Sequence, residues 1–148
     1  MKLEPQESSD AIAQSTSTQR WPKESDFPRR AFLTLDGVQL SYIRQGRGRP
    51  IVLLHGLSQC AEEFKHQIGP LSAQYDVIAV DQGAHGESQK VSYGLKISRL
   101  ARDLYELLTD LDLNEVVLLG HSMGSCASLL FGGSESLRFQ RCLFHRVF

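Results

Sequence analysis

A serine becomes a nucleophile only where the backbone lifts its hydroxyl clear of neighbouring groups and a donor waits for the oxyanion that its attack creates. Ser122 has such surroundings. It is the centre of Gly120-His121-Ser122-Met123-Gly124, a G-x-S-x-G spacing that follows the apolar run Val116-Val117-Leu118-Leu119 and precedes a helical stretch. A sharp turn from strand to helix forces the central residue into a strained conformation. Side chains at either flank would collide with the strand and the helix, hence glycine at 120 and 124. The hydroxyl then stands near the positive end of a helix, with the Met123 amide aimed at an oxyanion forming on an attacked carbonyl. The chemistry expected is acyl transfer through Ser122.

A second cluster closes another apolar run. Ile51-Val52-Leu53-Leu54 ends at His55-Gly56-Leu57, and an amide just past such a strand is the usual second donor of an oxyanion hole, which makes Leu57 N–H the candidate. His55 precedes the serine in the chain, and its expected role is a hydrogen bond under the loop rather than proton transfer. A third run, Val77-Ile78-Ala79-Val80, opens into the polar loop from Asp81 to Gly94. His55, Gly56, Gly120, His121 and Gly124 are expected to support the site. His66, His85 and His121 read as surface or loop residues. Cys60, Cys126 and Cys142 are odd in number and far apart, which suits reduced thiols and gives no metal site. No cofactor is expected.

The elements that must carry these residues follow from hydrophobic period. Two apolar runs flank Asp36-Gly37, Ala31 to Leu35 and Val38 to Ile43, which reads as a hairpin. Phe64, Ile68, Leu71 and Tyr75 recur at near-helical spacing and predict a helix over about Ala61 to Gln74. Ile97, Leu100, Ala101, Leu104, Leu107, Leu108 and Leu111 mark a second amphipathic helix. Short apolar runs alternating with helices imply an α/β fold, a mostly parallel sheet with helices on both faces and an antiparallel leading hairpin. Ligands gather beyond the carboxyl ends of such strands, where His55-Gly56, Asp81 and Gly120 to Ser122 all fall.

With 148 residues, 41% of them hydrophobic, the chain has the size of one domain with a real core. Residues 1–28 are mostly Ser, Thr, Gln, Glu, Lys and Pro and read as a flexible leader, leaving 29–148 as the folded part. Sixteen Lys and Arg against 17 Asp and Glu give a net charge of −1, so no field draws the chain to nucleic acid or to a membrane. The N-terminus lacks the pattern of a secretory signal, and a cytoplasmic location is expected.

Three stretches together resemble the esterase and haloperoxidase-like branch of the α/β-hydrolase superfamily: Ile51 to Leu57, Asp81-Gln82-Gly83-Ala84-His85-Gly86-Glu87-Ser88, and Gly120 to Gly124. The resemblance spans roughly Ala31 to Phe131. It implies serine hydrolysis of esters or related acyl compounds, and the serine sets the chain apart from epoxide hydrolases and haloalkane dehalogenases, whose nucleophile there is an aspartate. The family's loop usually reads D-x-R-G-x-G-x-S. Gly83 and Ala84 replace its Arg and Gly, a departure expected to loosen the loop, while Asp81, Gly86 and Ser88 keep the pattern, and the resemblance implies that they support the site. The family also places its acid and then its histidine after the nucleophile. Beyond Ser122 the only carboxylate side chain is Glu135 and the only histidine His145. Glu135 lies 13 positions on, on the order of 15–20 Å along a helix at ~1.5 Å per residue. Neither is expected to complete a triad, and the chain reads as a truncated α/β-hydrolase fold, nearly inactive alone.

The competing reading is a non-catalytic binding or regulatory fragment that pairs its exposed sheet edge with a partner. Dinucleotide binding fails on spacing. Gly46-Arg47-Gly48 lacks the third glycine and precedes a strand instead of following one.

Overall fold

Aliphatic runs with no polar face are stable only when both sides of a strand are covered, and of three such runs two lie inside the sheet and the third at its edge. The computed structural model describes residues 26–91 and 96–135. His145 and most of the expected leader lie outside the described residues. So does the side chain of Glu135. Five strands run β1 (Arg29–Leu33), β2 (Gln39–Gly46), β3 (Arg49–Leu54), β4 (Tyr75–Asp81) and β5 (Val117–Gly120). A 3₁₀ turn (Ala61–Phe64) leads into α1 (Lys65–Ser72), α2 (Ile97–Asp110) joins β4 to β5, and α3 (Met123–Glu135) follows β5.

The strand order is β1-β2-β4-β3-β5. β3 pairs in parallel with β4 and β5, whereas β2 is antiparallel to both β1 and β4. The sheet is therefore mixed, a parallel trio extended by an antiparallel hairpin. From β3 the chain crosses to β4 on one side and then returns past β3 to β5. Right-handed crossovers made in opposite directions put their helices on opposite faces. The packing follows this rule. Val52, Leu54, Ile78, Val80 and Leu118 face α2 and α3 through Leu104, Leu107, Leu108 and Phe131. Ile51, Leu53, Val77 and Ala79 face Ala61, Phe64 and Ile68 on the other side. Phe27 is buried in that second cluster, so packing begins inside the stretch whose composition reads as a leader.

Two elements differ from the sequence expectation, each for a local reason. The helix expected over 61–74 is four residues of 3₁₀ turn and eight of α-helix that end at Ser72, and its last turn holds Gly69 and Pro70, poor helix formers of which Pro70 has no N–H to donate. The hairpin strand ends at Leu33, two residues before Leu35, because Thr34 closes the loop: its N–H donates to Val38 O at 2.9 Å and its Oγ1 accepts from Val38 N at 2.9 Å. Leu35 turns out to solvent at 92% exposure. Arg99 and Arg102 of α2 bind Asp36 in the same loop at 2.5 and 2.8 Å. The Thr34 hydroxyl, with these guanidinium groups, holds the Asp36 carboxyl well below the usual carboxylate range. Among the described residues no helix is long and apolar enough to cross a membrane.

Candidate active site

Parallel pairing of β3 and β5 sets Leu54 opposite Gly120, so the residues that follow the two strands emerge side by side at one end of the sheet. β5 ends at Gly120 and α3 starts at Met123. In the two-residue turn between them Ser122 has φ +49°, a left-handed conformation that an L-residue with a side chain adopts only under external constraint. The constraint is visible. A Cβ on Gly120 would lie 2.5 Å from the Gly124 carbonyl carbon and Ser125 N, and one on Gly124 would run into the Leu54 carbonyl. The start of α3 is pressed onto β3 that closely only because both positions lack a side chain. Gly124 N–H donates to His121 O at 2.9 Å, Ser125 N–H donates to Ser122 O at 3.0 Å, and the Ser125 hydroxyl returns to Gly120 O at 2.5 Å. Ser122 itself is exposed. Met123 opens α3, where amides have no partner within the helix.

Gly56 faces this turn directly: a Cβ there would lie 2.9 Å from His121 Nδ1 and 3.5 Å from the Ser122 Cβ. Leu57, next in the chain, is 61% exposed at the same end of the sheet. His121 N–H donates to Leu54 O at 2.9 Å, joining the strand ends. Thus Ser122, His121 and Gly56 are gathered in one place, with Met123 and Leu57 next to them in the chain, and of these Ser122 and Leu57 are exposed to solvent.

His55 lies beneath them, fully buried. Its Nε2 accepts the Gln82 N–H at 3.0 Å, so Nδ1 carries the proton and donates to Gly56 O at 2.7 Å. The Gln82 side-chain amide donates to His55 O at 2.7 Å. This ring is a neutral cross-link between the ends of β3 and β4. Burial pushes its pKa down, opposed by the Gly56 carbonyl and reinforced by the neighbouring His85. His85 is buried as well, its ring 5.0 Å from that of His55, whereas His66 is exposed.

Asp81, Gly86 and Ser88 form a separate knot behind the site. The fully buried Asp81 carboxylate accepts N–H donors from Ala61 at 2.7 Å and Glu87 at 2.9 Å, and an Arg29 guanidinium N–H at 2.6 Å. Gly86, at φ +49°, has no room for a side chain because a Cβ would overlap that carboxylate. Ser88 Oγ donates to Asp81 O at 2.5 Å and accepts from Ser41 N–H at 2.8 Å, fastening the loop to β2. A buried carboxylate is tolerated only when paired and fully hydrogen-bonded, which these contacts achieve. Ligand atoms of Cys60, Glu62 and Asp81 lie within 4.8 Å of one another, but Arg29 bonds both carboxylates and already supplies the positive charge there. Ala84 keeps the left-handed backbone, φ +68°, at a position where the family's pattern has glycine.

Sequence reading missed Glu63 and Arg29. Glu63 Oε2 accepts the Gly56 N–H at 3.1 Å, and Oε1 approaches His121 Nδ1 to 2.5 Å, off the axis of a good hydrogen bond. Neither residue stands in a motif. Arg29 meets Asp81 across 52 positions of chain, a distance at which only the fold shows a pairing.

Comparison with known proteins matches the family described as alpha/beta hydrolase fold over residues 49–145. A non-heme chloroperoxidase of Kitasatospora aureofaciens is 42% identical over 92 residues, 62% of this chain and 34% of that protein. The structure of the epoxide hydrolase CorEH is similar with a TM-score of 0.76 at 28% identity, covering 82% of this chain and 43% of that one. A thermophilic esterase from Thermogutta terrifontis aligns with a TM-score of 0.72 at 27% identity, over 79% of this chain and 44% of the other. The chain spans about a third of the length of the curated relatives it matches.

Proposed function

We infer function from the premise that this chain belongs to the alpha/beta hydrolase fold family, and propose that it carries the nucleophile-bearing part of a serine hydrolase for esters or related acyl compounds. The observation that carries this reading is Ser122 at φ +49°, between two glycines that admit no side chain and beside Gly56. In the proposed reaction Ser122 Oγ attacks the acyl carbon. The Oγ proton passes to solvent, and the carbonyl π pair moves onto oxygen, met by the Leu57 and Met123 amides; collapse breaks the ester C–O bond, the alkoxide takes a proton from water and leaves as the alcohol, and the acyl group stays on Ser122 Oγ until water hydrolyses it. A serine at the elbow favours this acyl chemistry over epoxide opening, even though an epoxide hydrolase is among the similar structures.

The serine needs a base, and no histidine among the described residues is assigned that part. We therefore propose slow turnover for the chain alone, at least about a thousandfold below a full-length relative, the order lost when the base of a triad is removed. The test is exposure to p-nitrophenyl acetate, followed by mass spectrometry of the peptide bearing Ser122. A slow acetyl adduct on Ser122, absent from Ser122→Ala, is expected. Adduct formation unchanged in Ser122→Ala would defeat the proposal.

A further inference from the structure

We propose that Glu63 is a positioning residue of this site, tying the loop that bears the Leu57 amide to the turn that bears Ser122; this rests on the serine reading given above. Its carboxylate is shared between the two halves, with Oε2 accepting the Gly56 N–H at 3.1 Å and Oε1 standing 2.5 Å from His121 Nδ1. Gly56 immediately precedes Leu57, and His121 immediately precedes Ser122. A single side chain thus touches the residue before each proposed catalytic group.

The support under Glu63 is rigid, which a positioning role requires. It sits in the 3₁₀ turn, where its own N–H donates to Cys60 O at 3.0 Å. Its neighbour Phe64 is buried in the core, and Ala61, at the head of the turn, is fully buried with its N–H held by Asp81. The Asp81 knot therefore reaches the site indirectly: it fixes the turn, the turn fixes Glu63, and Glu63 fixes the Gly56-Leu57 segment. This also accounts for a carboxylate close to where negative charge would develop. Left unpaired, such a charge would oppose the oxyanion; one oxygen is engaged by the Gly56 amide, and the other stands against the His121 imidazole without an aligned hydrogen bond.

The full chain is compared with Glu63→Gln, Glu63→Ala and Glu63→Asp. Glutamine keeps an acceptor at full reach without the charge, alanine has neither, and aspartate keeps the charge one methylene short. Two quantities are read: the rate of Ser122 acetylation by p-nitrophenyl acetate, and the exchange rate of the Gly56 amide hydrogen by NMR. Acetylation in Glu63→Gln is expected within about threefold of the parent. Glu63→Ala and Glu63→Asp are expected to lose about tenfold or more, since a small misplacement of an oxyanion donor is that costly. Gly56 exchange should accelerate in the same two variants, with thermal midpoints unchanged. Equal rates in Glu63→Gln and Glu63→Ala, or Gly56 exchange unaffected by Glu63→Asp, would overturn the proposal. Absence of any Ser122 adduct in the parent would instead strike the serine reading, and the exchange measurement would still decide whether Glu63 holds the loop.

Discussion

His55 shows how a residue beneath the candidate site can be wholly structural in its contacts. Both ring nitrogens are occupied, one by the Gln82 amide and one by the Gly56 carbonyl, so the neutral tautomer is the one that fits. Protonation would place a second N–H against a donor. Burial is the main cause of the lowered pKa, and the sign of its effect on stability follows. The unfolded chain takes up a proton near the ordinary value of about 6.5, while the folded chain resists until lower pH. Stability from His55 is thus present above about pH 6.5 and lost as pH falls below it. Urea unfolding between pH 7.5 and pH 5 should show the parent weakening more steeply than His55→Gln, which has no imidazole to charge; parallel curves would mean that His55 is not held neutral.

Among the elements, the loop after β4 joins what was legible to what was not. Asp81, Gly86 and Ser88 stand out in the sequence as a family pattern, and the structure gives the physical reason: one buried carboxylate, a glycine that must not cover it, and a hydroxyl that returns to β2. The replacement of glycine by Ala84 was legible too, but not its outcome. The loop keeps its left-handed residue, held at both ends by the Asp81 contacts, and the strain stays local. Left-handed backbone costs an alanine about 1–2 kcal/mol, partly offset by the greater freedom glycine has when unfolded. Ala84→Gly should therefore stabilise the chain by about 1 kcal/mol or slightly less, seen as a higher urea midpoint with an unchanged slope. A lower midpoint would show that the methyl group does more than strain the turn. The central strands were legible because burial on both faces leaves uninterrupted aliphatic runs, and α2 because one apolar face repeats over four turns. The 3₁₀ turn and Glu63 were not, since an acid seven positions after Gly56, the second of the pair Glu62-Glu63, carries no periodic or motif signal.

For the molecule as a whole, the parallel trio ends at β5, and among the described residues nothing pairs with the outer side of that strand. Leu129 and Leu130 on α3 are 55% and 43% exposed on the helix that follows it. An open strand beside exposed leucines invites pairing with another chain. We propose self-association through this border: sedimentation velocity should show heavier species as concentration rises through the micromolar range, and the double variant Leu129→Lys, Leu130→Lys should remain monomeric. Identical profiles at all concentrations would remove the idea. The turn at Ser122 has one more property, which concerns time. Among the described residues the groups that force its shape, the Leu54 carbonyl, the Gly56 loop and the first turn of α3, precede or immediately follow it in the chain. A domain folds as a unit, so the bent serine takes its geometry together with β3, β5 and the first turn of α3, the elements that enforce it, and not ahead of them.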